Sequence, residues 1–151
     1  MMKYIISIIA ILGLFINSVF AGGHKKIKVG MITTLSGGGS GLGIDVRDGF
    51  LLAVKGDKHF EVIVKDDQRK PDIAVQIADK MIQSDKVDVL TGIIWSNLAM
   101  AVVPAAVKQG KFYLSPNAGP SKLAGKGCHK NYFNVASVSY THLTLPTKCS
   151  V

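Results

Sequence analysis

The chain has 151 residues, about the length of one domain. Hydrophobic residues make up 48% and charged residues 19%, which is an ordinary globular composition, and the formal net charge is +8. The lysines are scattered, without a block of five or six and without a basic run interleaved with aromatic residues. Composition therefore favours a solvated basic surface, and no nucleic-acid partner is predicted.

The first 21 residues have the three parts of a secretory signal peptide. Met1 to Lys3 is a short positive start, 4–16 is an apolar run, and unhindered residues stand at Val19 and Ala21. A membrane anchor is the alternative, but the apolar run is too short to span a bilayer comfortably. The sequence therefore predicts cleavage after Ala21 and a mature protein that works outside the cytoplasm.

Strands and helices alternate along the mature chain. Short apolar or β-branched runs predict strands at 28–32, 60–65, 87–92, 111–114 and 132–135. Apolar residues at helical spacing predict helices at 45–54, from 71 through 81, and at 98–109. This alternation, with short connections, predicts an α/β fold with an open doubly wound parallel sheet.

Three local features of the helices depend on single residues. Gly49 lies on the predicted inner face of the first helix and is expected to permit close approach to the sheet. Ser96 and Asn97 are expected to cap the third helix at its amino end. Gly110 is expected to stop the same helix at its carboxyl end.

A glycine-rich turn, 35–43, joins the first strand to the first helix. It fails the dinucleotide-binding pattern, because Val46 stands where the third glycine belongs, and it fails the phosphate-loop pattern, because no lysine follows Gly43. Two interpretations stay open. The turn either brings backbone N–H groups close to a small polar ligand, or it is only a tight connection from strand to helix.

Three turns are expected to meet at the carboxyl edge of the sheet, where open α/β folds hold their ligands. They are 36–43 after the first strand, 95–97 after the third, and 115–119 after the fourth. Ser96 and Asn97 lie at a helix amino end, which favours a carboxylate. Trp95 is either an apolar wall of this site or a core residue behind the third strand.

No catalytic constellation stands out, so an enzyme is not predicted. Asp66 and Asp67 follow the second strand, and capping of the turn is favoured over acid–base or metal chemistry, because no third ligand is placed nearby. His24, His59 and His129 are isolated in polar surroundings. Neither a metal nor a cofactor is predicted.

Several short motifs together carry a family resemblance over about 27–136. They are Lys28-Val29-Gly30, Leu35-Ser36-Gly37, Gly43, Gly49, Asp66-Asp67, Gly92 and Ser115-Pro116-Asn117-Ala118. In order and spacing they resemble the amino-terminal lobe of periplasmic substrate-binding proteins of ABC importers, in the type I, branched-chain amino acid (Leu/Ile/Val-binding) group. The resemblance implies a periplasmic solute-binding protein, monomeric at full length, that captures a branched-chain amino acid or similar small organic acid. It is expected to deliver this ligand to an ABC permease in the membrane.

The same resemblance implies a set of ligand-binding residues. The polar end of the ligand is expected at the turns after the third and fourth strands, and its apolar end beside the turn after the first. The residues are Leu42, Trp95, Ser96, Asn97, Asn117, Ala118 and Gly119. Family members that bind amino acids often have an aromatic residue at the position of Leu42 and a threonine at the position of Gly119. The 115–125 stretch is instead similar to subgroups that bind aromatic or other small organic acids.

The resemblance also sets the expected extent of the chain. Such proteins have two lobes, and this sequence is expected to supply part of one, residues 22–137. Val138 to Thr147 resembles the translation of a transposon-based sequencing adapter, so 138–151 is expected to be a non-native tail that contains Cys149. Cys128, the other cysteine, could form a disulfide with Cys149. If Cys149 is not native, the partner of Cys128 is expected in the missing part, or Cys128 has none.

Two other function classes are weighed against a transport protein. One is a receptor, in which the same fold serves as a ligand-binding sensor domain. The other is a flavodoxin-like or response-regulator protein, whose acidic pocket needs an aspartate at the end of the third strand. Ile93-Ile94-Trp95 stands there instead.

Overall fold

The computed structural model describes residues 25–135. The predicted signal peptide and the predicted tail lie outside the described residues. Within them, strands and helices alternate with the bounds β1 Ile27–Thr33, α1 Ser40–Ala53, β2 Phe60–Asp66, α2 Pro71–Lys80, β3 Val89–Thr91, α3 Ser96–Lys108, β4 Phe112–Ser115, α4 Ser121–Ala124 and β5 Tyr132–Asn134. A wider π-helical turn, Met81–Asp85, continues α2. The short helix α4 was not predicted.

The described strands form one sheet with the order β2-β1-β3-β4-β5. Every neighbouring pair is parallel, and Val29 of β1 lies opposite Val62 of β2 and Val89 of β3. The α/β prediction with a doubly wound parallel sheet is therefore confirmed. Because the chain moves outward in both directions from β1, the strand order reverses between β1 and β3, and such a reversal opens a crevice at the carboxyl edge.

The core lies between the sheet and the pair α2 and α3. Small side chains allow these two helices to pack closely, while larger ones fill the space over the strands. The buried cluster includes Ala74, Ala78, Ala99, Val102 and Ala106 on the helices, with Ile32, Leu90 and Tyr113 on the strands. Gly30 belongs to this packing, since an added Cβ would lie 2.7 Å from the Met81 sulfur.

The opposite face of the sheet is partly bare in the described residues. Side chains alternate between faces along a strand, so Phe112 and Phe133 point away from the core residues Tyr113 and Tyr132. Their rings are tilted against each other with centroids 6.3 Å apart, and each side chain is about half exposed.

Helix α1 corrects two predictions. It begins at Ser40, five residues before the expected start, so it contains half of the predicted glycine-rich turn. Its buried residue is Gly43, not the expected apolar face, and Leu42 is 50% exposed. Gly49 has open space around it, whereas a Cβ on Gly43 would overlap the backbone of Thr34, directly after β1. The prediction of close approach at Gly49 was therefore wrong, because the close contact with the end of β1 is made by Gly43 in the first turn of the helix.

Gly110 follows the end of α3 with a φ of 78°, in the left-handed region that favours glycine. The predicted helix stop is confirmed.

Candidate functional site

The sheet order brings the turns after β1, β3 and β4 next to one another, because these three strands are neighbours. The turn after β2 adjoins the same edge on the far side of β1. The predicted convergence of three turns is therefore present. The hydrogen bonds that join them define which side chains are fixed and which remain available.

The two carboxylates after β2 join the β2 turn to the β1 turn. An Asp66 carboxylate oxygen accepts hydrogen bonds from the backbone N–H groups of Leu35 and Gln68, both at 2.8 Å. An Asp67 oxygen accepts from the Thr34 hydroxyl at 2.6 Å and from the N–H of Arg69 at 2.8 Å. The predicted capping of this turn is confirmed, although α2 itself receives no side-chain cap.

The surroundings move the two pKa values in opposite directions. Burial opposes ionisation of Asp66, but hydrogen bonds from Ser36, Leu35 and Gln68 outweigh it and lower the pKa of Asp66. Burial raises the pKa of Asp67 against the hydrogen bonds from Thr34 and Arg69, and the charge of Asp66 adds to the rise. The second oxygen of Asp67 is buried and has no hydrogen-bond partner among the described residues.

Trp95 stands immediately before α3 and leans toward the β1 turn. Its indole Nε1 donates a hydrogen bond to the Thr34 hydroxyl oxygen at 2.9 Å. The guanidinium carbon of Arg69 lies 3.9 Å from the centre of the indole ring, and a Cβ on Gly39 would come within 2.5 Å of the ring edge. Trp95 is half-buried and packs against the core, so it borders both the core and the carboxyl edge.

The amino end of α3 differs from the prediction. The helix begins at Ser96, with Trp95 in the capping position and no side-chain cap. Ser96 and Asn97 are exposed in the first turn rather than acting as caps. The expectation of a Ser96–Asn97 cap was therefore wrong, because the helix begins two residues earlier than predicted. The N–H groups of this turn have no side-chain cap at the edge of the site, where unpaired N–H groups attract an anion.

The turn after β4 is bound to the turn after β3. The Asn117 side-chain amide donates to the Ile94 carbonyl oxygen at 3.0 Å. Ala118 is 2% exposed, and its carbonyl accepts from the hydroxyls of Tyr132 and Ser115. Its methyl group therefore lies in the core. Gly119 is half-buried.

The structure thus brings together the segments that carry most of the predicted binding residues, but in different ways. Trp95 and Asn117 are held by hydrogen bonds, while Ser96 and Asn97 are free and exposed in the described part of the chain. Leu42 lies in the first turn of α1 with half of its side chain in solvent.

Three residues of this edge were not predicted as part of the site: Thr34, Asp67 in its bond to Thr34, and Arg69. The sequence signal at Thr34 was a threonine directly after an apolar strand. A hydroxyl that is buried at such a place needs a hydrogen-bond partner. Nothing in the spacing indicates that Arg69 stacks on a residue 26 positions later.

Other features of the described residues lie away from this edge. A cavity of about 470 Å³ runs along the second half of α3, between Met100, Pro104, Val107 and Leu123, with Lys108 and Lys122 at its rim. None of the predicted binding residues lines it. In residues 25–135 no group of three histidine, cysteine or acidic side chains could hold a metal ion, and none of the helices there is long and apolar enough to cross a membrane.

Open α/β folds hold their ligands at a strand reversal of this kind. In this structure the paired turns and the helix end without a side-chain cap lie there. The family model of periplasmic binding proteins matches residues 26–146. The chain therefore belongs to the periplasmic binding protein family, of type I. Proteins of this family bind and hand over solutes and are not a class of enzymes. The match includes 138–146, and the expectation of a non-native tail there stays a prediction.

Solved structures of similar fold are also binding proteins for small molecules. A solute-binding protein of an ABC transporter from R. palustris, in complex with benzoate, is 33% identical, with a TM-score of 0.68 over 72% of this chain and 32% of that one. A second, from Rhodopseudomonas palustris BisB5 in complex with 3,4-dihydroxybenzoic acid, is 30% identical, with a TM-score of 0.66 over 72% and 31%.

A leucine-binding protein from Thermotoga maritima shares the fold, at 21% identity and a TM-score of 0.67 over 72% of this chain and 32% of that one. Among curated proteins, none matches. The chain spans about a third of the length of the solved relatives it matches.

Proposed function

We propose that the chain is part of the amino-terminal lobe of an extracytoplasmic solute-binding protein, which captures a small organic acid for uptake by an ABC permease. The observation that carries this proposal is the amino end of α3. Its first turn has no side-chain cap, and exposed Ser96 and Asn97 lie there between Trp95 and the Asn117 turn. That combination offers N–H groups and a hydroxyl to a carboxylate, beside an indole for the body of the ligand.

Among small acids, we infer an aromatic or similar planar carboxylate ahead of a branched-chain amino acid. Two relatives with at least 30% identity are described in complex with benzoate and with 3,4-dihydroxybenzoic acid, whereas a leucine-binding relative shares only the fold at 21%. One oxygen of each carboxylate after β2 accepts hydrogen bonds from the turns, and Asp67 is fully buried, so Asp67 is not accessible to an ammonium group of a ligand. These observations support a monoanion over a zwitterion.

We propose roles for each residue of the predicted set. Ser96, Asn97 and the backbone of Asn117, Ala118 and Gly119 bind the carboxylate end, while Leu42 and Trp95 contact the apolar end. The methyl group of Ala118 is in the core, so only its backbone takes part. The full-length protein closes a second lobe over this surface and is a monomer.

Secretion is part of the same proposal. A signal peptide over 1–21 would export the protein to the periplasm, where it would meet its permease. The sensor alternative shares the binding chemistry and differs in the segment that the full gene encodes after the domain. A membrane-spanning segment there would favour the sensor, while the ABC-transporter relatives favour transport.

The test measures binding to the full-length protein from the parent gene by thermal shift and isothermal titration calorimetry. The ligands are benzoate, 4-hydroxybenzoate, leucine and benzamide, which keeps the ring of benzoate without its charge. We expect benzoate-type acids to bind and stabilise the protein and benzamide to fail. Stabilisation by none of these solutes, nor by other small organic acids, would contradict the proposal, and tight binding of leucine alone would overturn its aromatic-acid part.

A further inference from the structure

We propose that Thr34 and Asp67 are positioning residues that hold the indole of Trp95 in place as a wall of the binding site, with Arg69 covering one face of its ring. This inference rests on the proposed function, because it assigns the wall a purpose. It concerns residues on three different turns that meet only in the folded chain.

A relay of two hydrogen bonds joins Trp95, Thr34 and Asp67. Thr34 and Asp67 are fully buried, at 0% exposure each. The Thr34 hydroxyl donates to Asp67 at 2.6 Å, and the indole Nε1 of Trp95 donates to the same hydroxyl oxygen at 2.9 Å. A hydroxyl has one proton to give and two lone pairs that accept. Because the proton is directed to Asp67, the oxygen presents a lone pair to the indole.

The relay has one direction: Trp95 donates to Thr34, and Thr34 donates to Asp67. An indole N–H is a donor only, so Trp95 needs an acceptor at this position. Asp67 supplies the fixed acceptor for the Thr34 proton, and the N–H of Arg69 holds the same Asp67 oxygen at 2.8 Å. Without the Asp67 acceptor the hydroxyl could rotate, and its lone pair would no longer face the indole. Asp67 therefore acts on Trp95 through Thr34 and does not touch the ligand.

Arg69 contacts one face of the Trp95 ring. The Arg69 guanidinium stacks on the indole at 3.9 Å, within the range of a cation–π interaction. Its Nη1 also donates to the Gly38 carbonyl at 3.1 Å. Arg69 has a φ of 58°, and Gln68 before it a φ of 52°, in the left-handed region that side chains seldom adopt. The turn therefore holds Arg69 over the ring despite a local conformational cost.

Gly39 lies so close to the edge of the Trp95 ring that no free space remains between them. A Cβ on Gly39 would lie 2.5 Å and 2.8 Å from two atoms of the six-membered ring. The indole is therefore limited on three sides: by Thr34 at its nitrogen, by Arg69 on one face, and by Gly39 at the edge. A side chain held in this way presents its remaining surface to a ligand without further ordering, which favours affinity.

The test uses the fact that Trp95 is the single tryptophan of the chain. In the 151-residue protein, NMR should show one indole N–H signal whose exchange with deuterium is slower than that of free tryptophan. A signal that exchanges at the rate of free tryptophan would overturn the proposal without any substitution.

Two matched variants then separate positioning from general stability. Thr34→Val removes the hydroxyl at nearly the same shape, while Thr34→Ser keeps the hydroxyl and loses a methyl group. We expect a red-shifted emission and stronger acrylamide quenching of Trp95 in Thr34→Val, with Thr34→Ser close to wild type. If both variants match the wild type, or if both change alike, the relay does not position the indole. If Thr34→Val does not fold, the spectra of Thr34→Ser decide. We expect the Trp95 emission and quenching of the wild type in this variant, and an indole freed in it would overturn the proposal.

The functional part is measured on the full-length protein with benzoate. We expect Thr34→Val to weaken binding about tenfold, equivalent to about 1.4 kcal/mol, and Thr34→Ser to bind as wild type. An unchanged dissociation constant with a shifted emission would mean that Trp95 is positioned but is no wall of the site. If the wild type binds no carboxylate while the spectra behave as expected, the proposed function fails and the relay remains.

Discussion

A Cβ placed on Gly43 would lie 1.9 Å from the carbonyl oxygen of Thr34. This distance is far inside any allowed contact, and the neighbouring atom belongs to backbone, which cannot move aside as a flexible side chain can. The first turn of α1 therefore sits directly on the end of β1. The relationship also matters for the site, because Thr34 is the residue that binds the indole of Trp95.

We predict that Gly43→Ala destabilises the protein by at least about 1–3 kcal/mol, the usual cost of overpacking. The helix must shift away from Thr34 to make room for the methyl group. Urea denaturation followed by circular dichroism measures the free energy of unfolding, and the emission of Trp95 should change as well.

Gly49→Ala is the matched control in the same helix, since no atom lies within 4 Å of the added carbon. There the substitution should stabilise the protein by about 0.5–1 kcal/mol, because alanine loses less backbone entropy in a helix interior than glycine does. Equal effects of the two substitutions would contradict this account of the contact.

The two glycines also show how far the sequence alone could reach. The alternation of strands and helices, the parallel sheet and the three turns at its edge were predicted, because they depend on periodicity and on short connections. Helical spacing placed Gly49 on an inner face. Which glycine touches the sheet depends on how the helix is tilted, and no local pattern records the tilt.

For the binding edge, the sequence predicted which turns lie side by side but not which side chains of those turns contact one another. The order of strands places the turns with Trp95 and Asn117 side by side, since sequential strands are usually neighbours in a sheet. The stack of Arg69 on Trp95 needs two particular turn conformations at once, so neither turn's sequence reveals it. The helix start at Ser96 was missed for a similar reason, because Trp95 in the capping position has no side-chain cap that a sequence signal would show.

The raised pKa of Asp67 leads to a prediction about pH. Its pKa in the folded protein is above that of the unfolded chain, mainly through burial. Such a carboxyl destabilises the folded state once it is ionised, so its contribution is most favourable at acid pH and is lost as the pH rises through the folded pKa. We predict that Asp67→Asn, which does not ionise and keeps an oxygen for Thr34, gains stability relative to wild type over this rise.

The measurement is the free energy of unfolding of both proteins from acid to neutral pH at constant ionic strength. Asp66, whose pKa is lowered, contributes the opposite slope, but it is present in both proteins and largely cancels in the difference. A difference between Asp67→Asn and wild type that stays constant with pH would show that the carboxyl does not titrate as argued.

Asn117 leads to a prediction about the link between two turns. Its amide donates to the Ile94 carbonyl, and Asn117→Asp would replace this donor with a carboxylate that repels the same oxygen. We expect a loss of about 1–3 kcal/mol in stability, the cost of leaving a partly buried acceptor without its donor. Thermal unfolding measures it, and the loss should shrink in acid, where a protonated Asp at this position can donate again.

Ser96 gives the prediction that tests the site most directly. Its side chain is exposed in the first turn of α3, so Ser96→Ala should change the stability of the unliganded protein by less than about 0.5 kcal/mol. Binding of benzoate to the full-length protein should weaken by about 1–3 kcal/mol, because the carboxylate loses a buried hydrogen-bond partner. Calorimetry at constant salt measures the dissociation constant.

Ser84→Ala provides the comparison for Ser96→Ala. Ser84 is also exposed, but it lies in the turn after α2, at the opposite end of the sheet from the three binding turns. It should leave both stability and binding unchanged. Equal dissociation constants for the two variants would remove Ser96 from the binding site, whereas a loss confined to Ser96→Ala would assign the carboxylate to the amino end of α3.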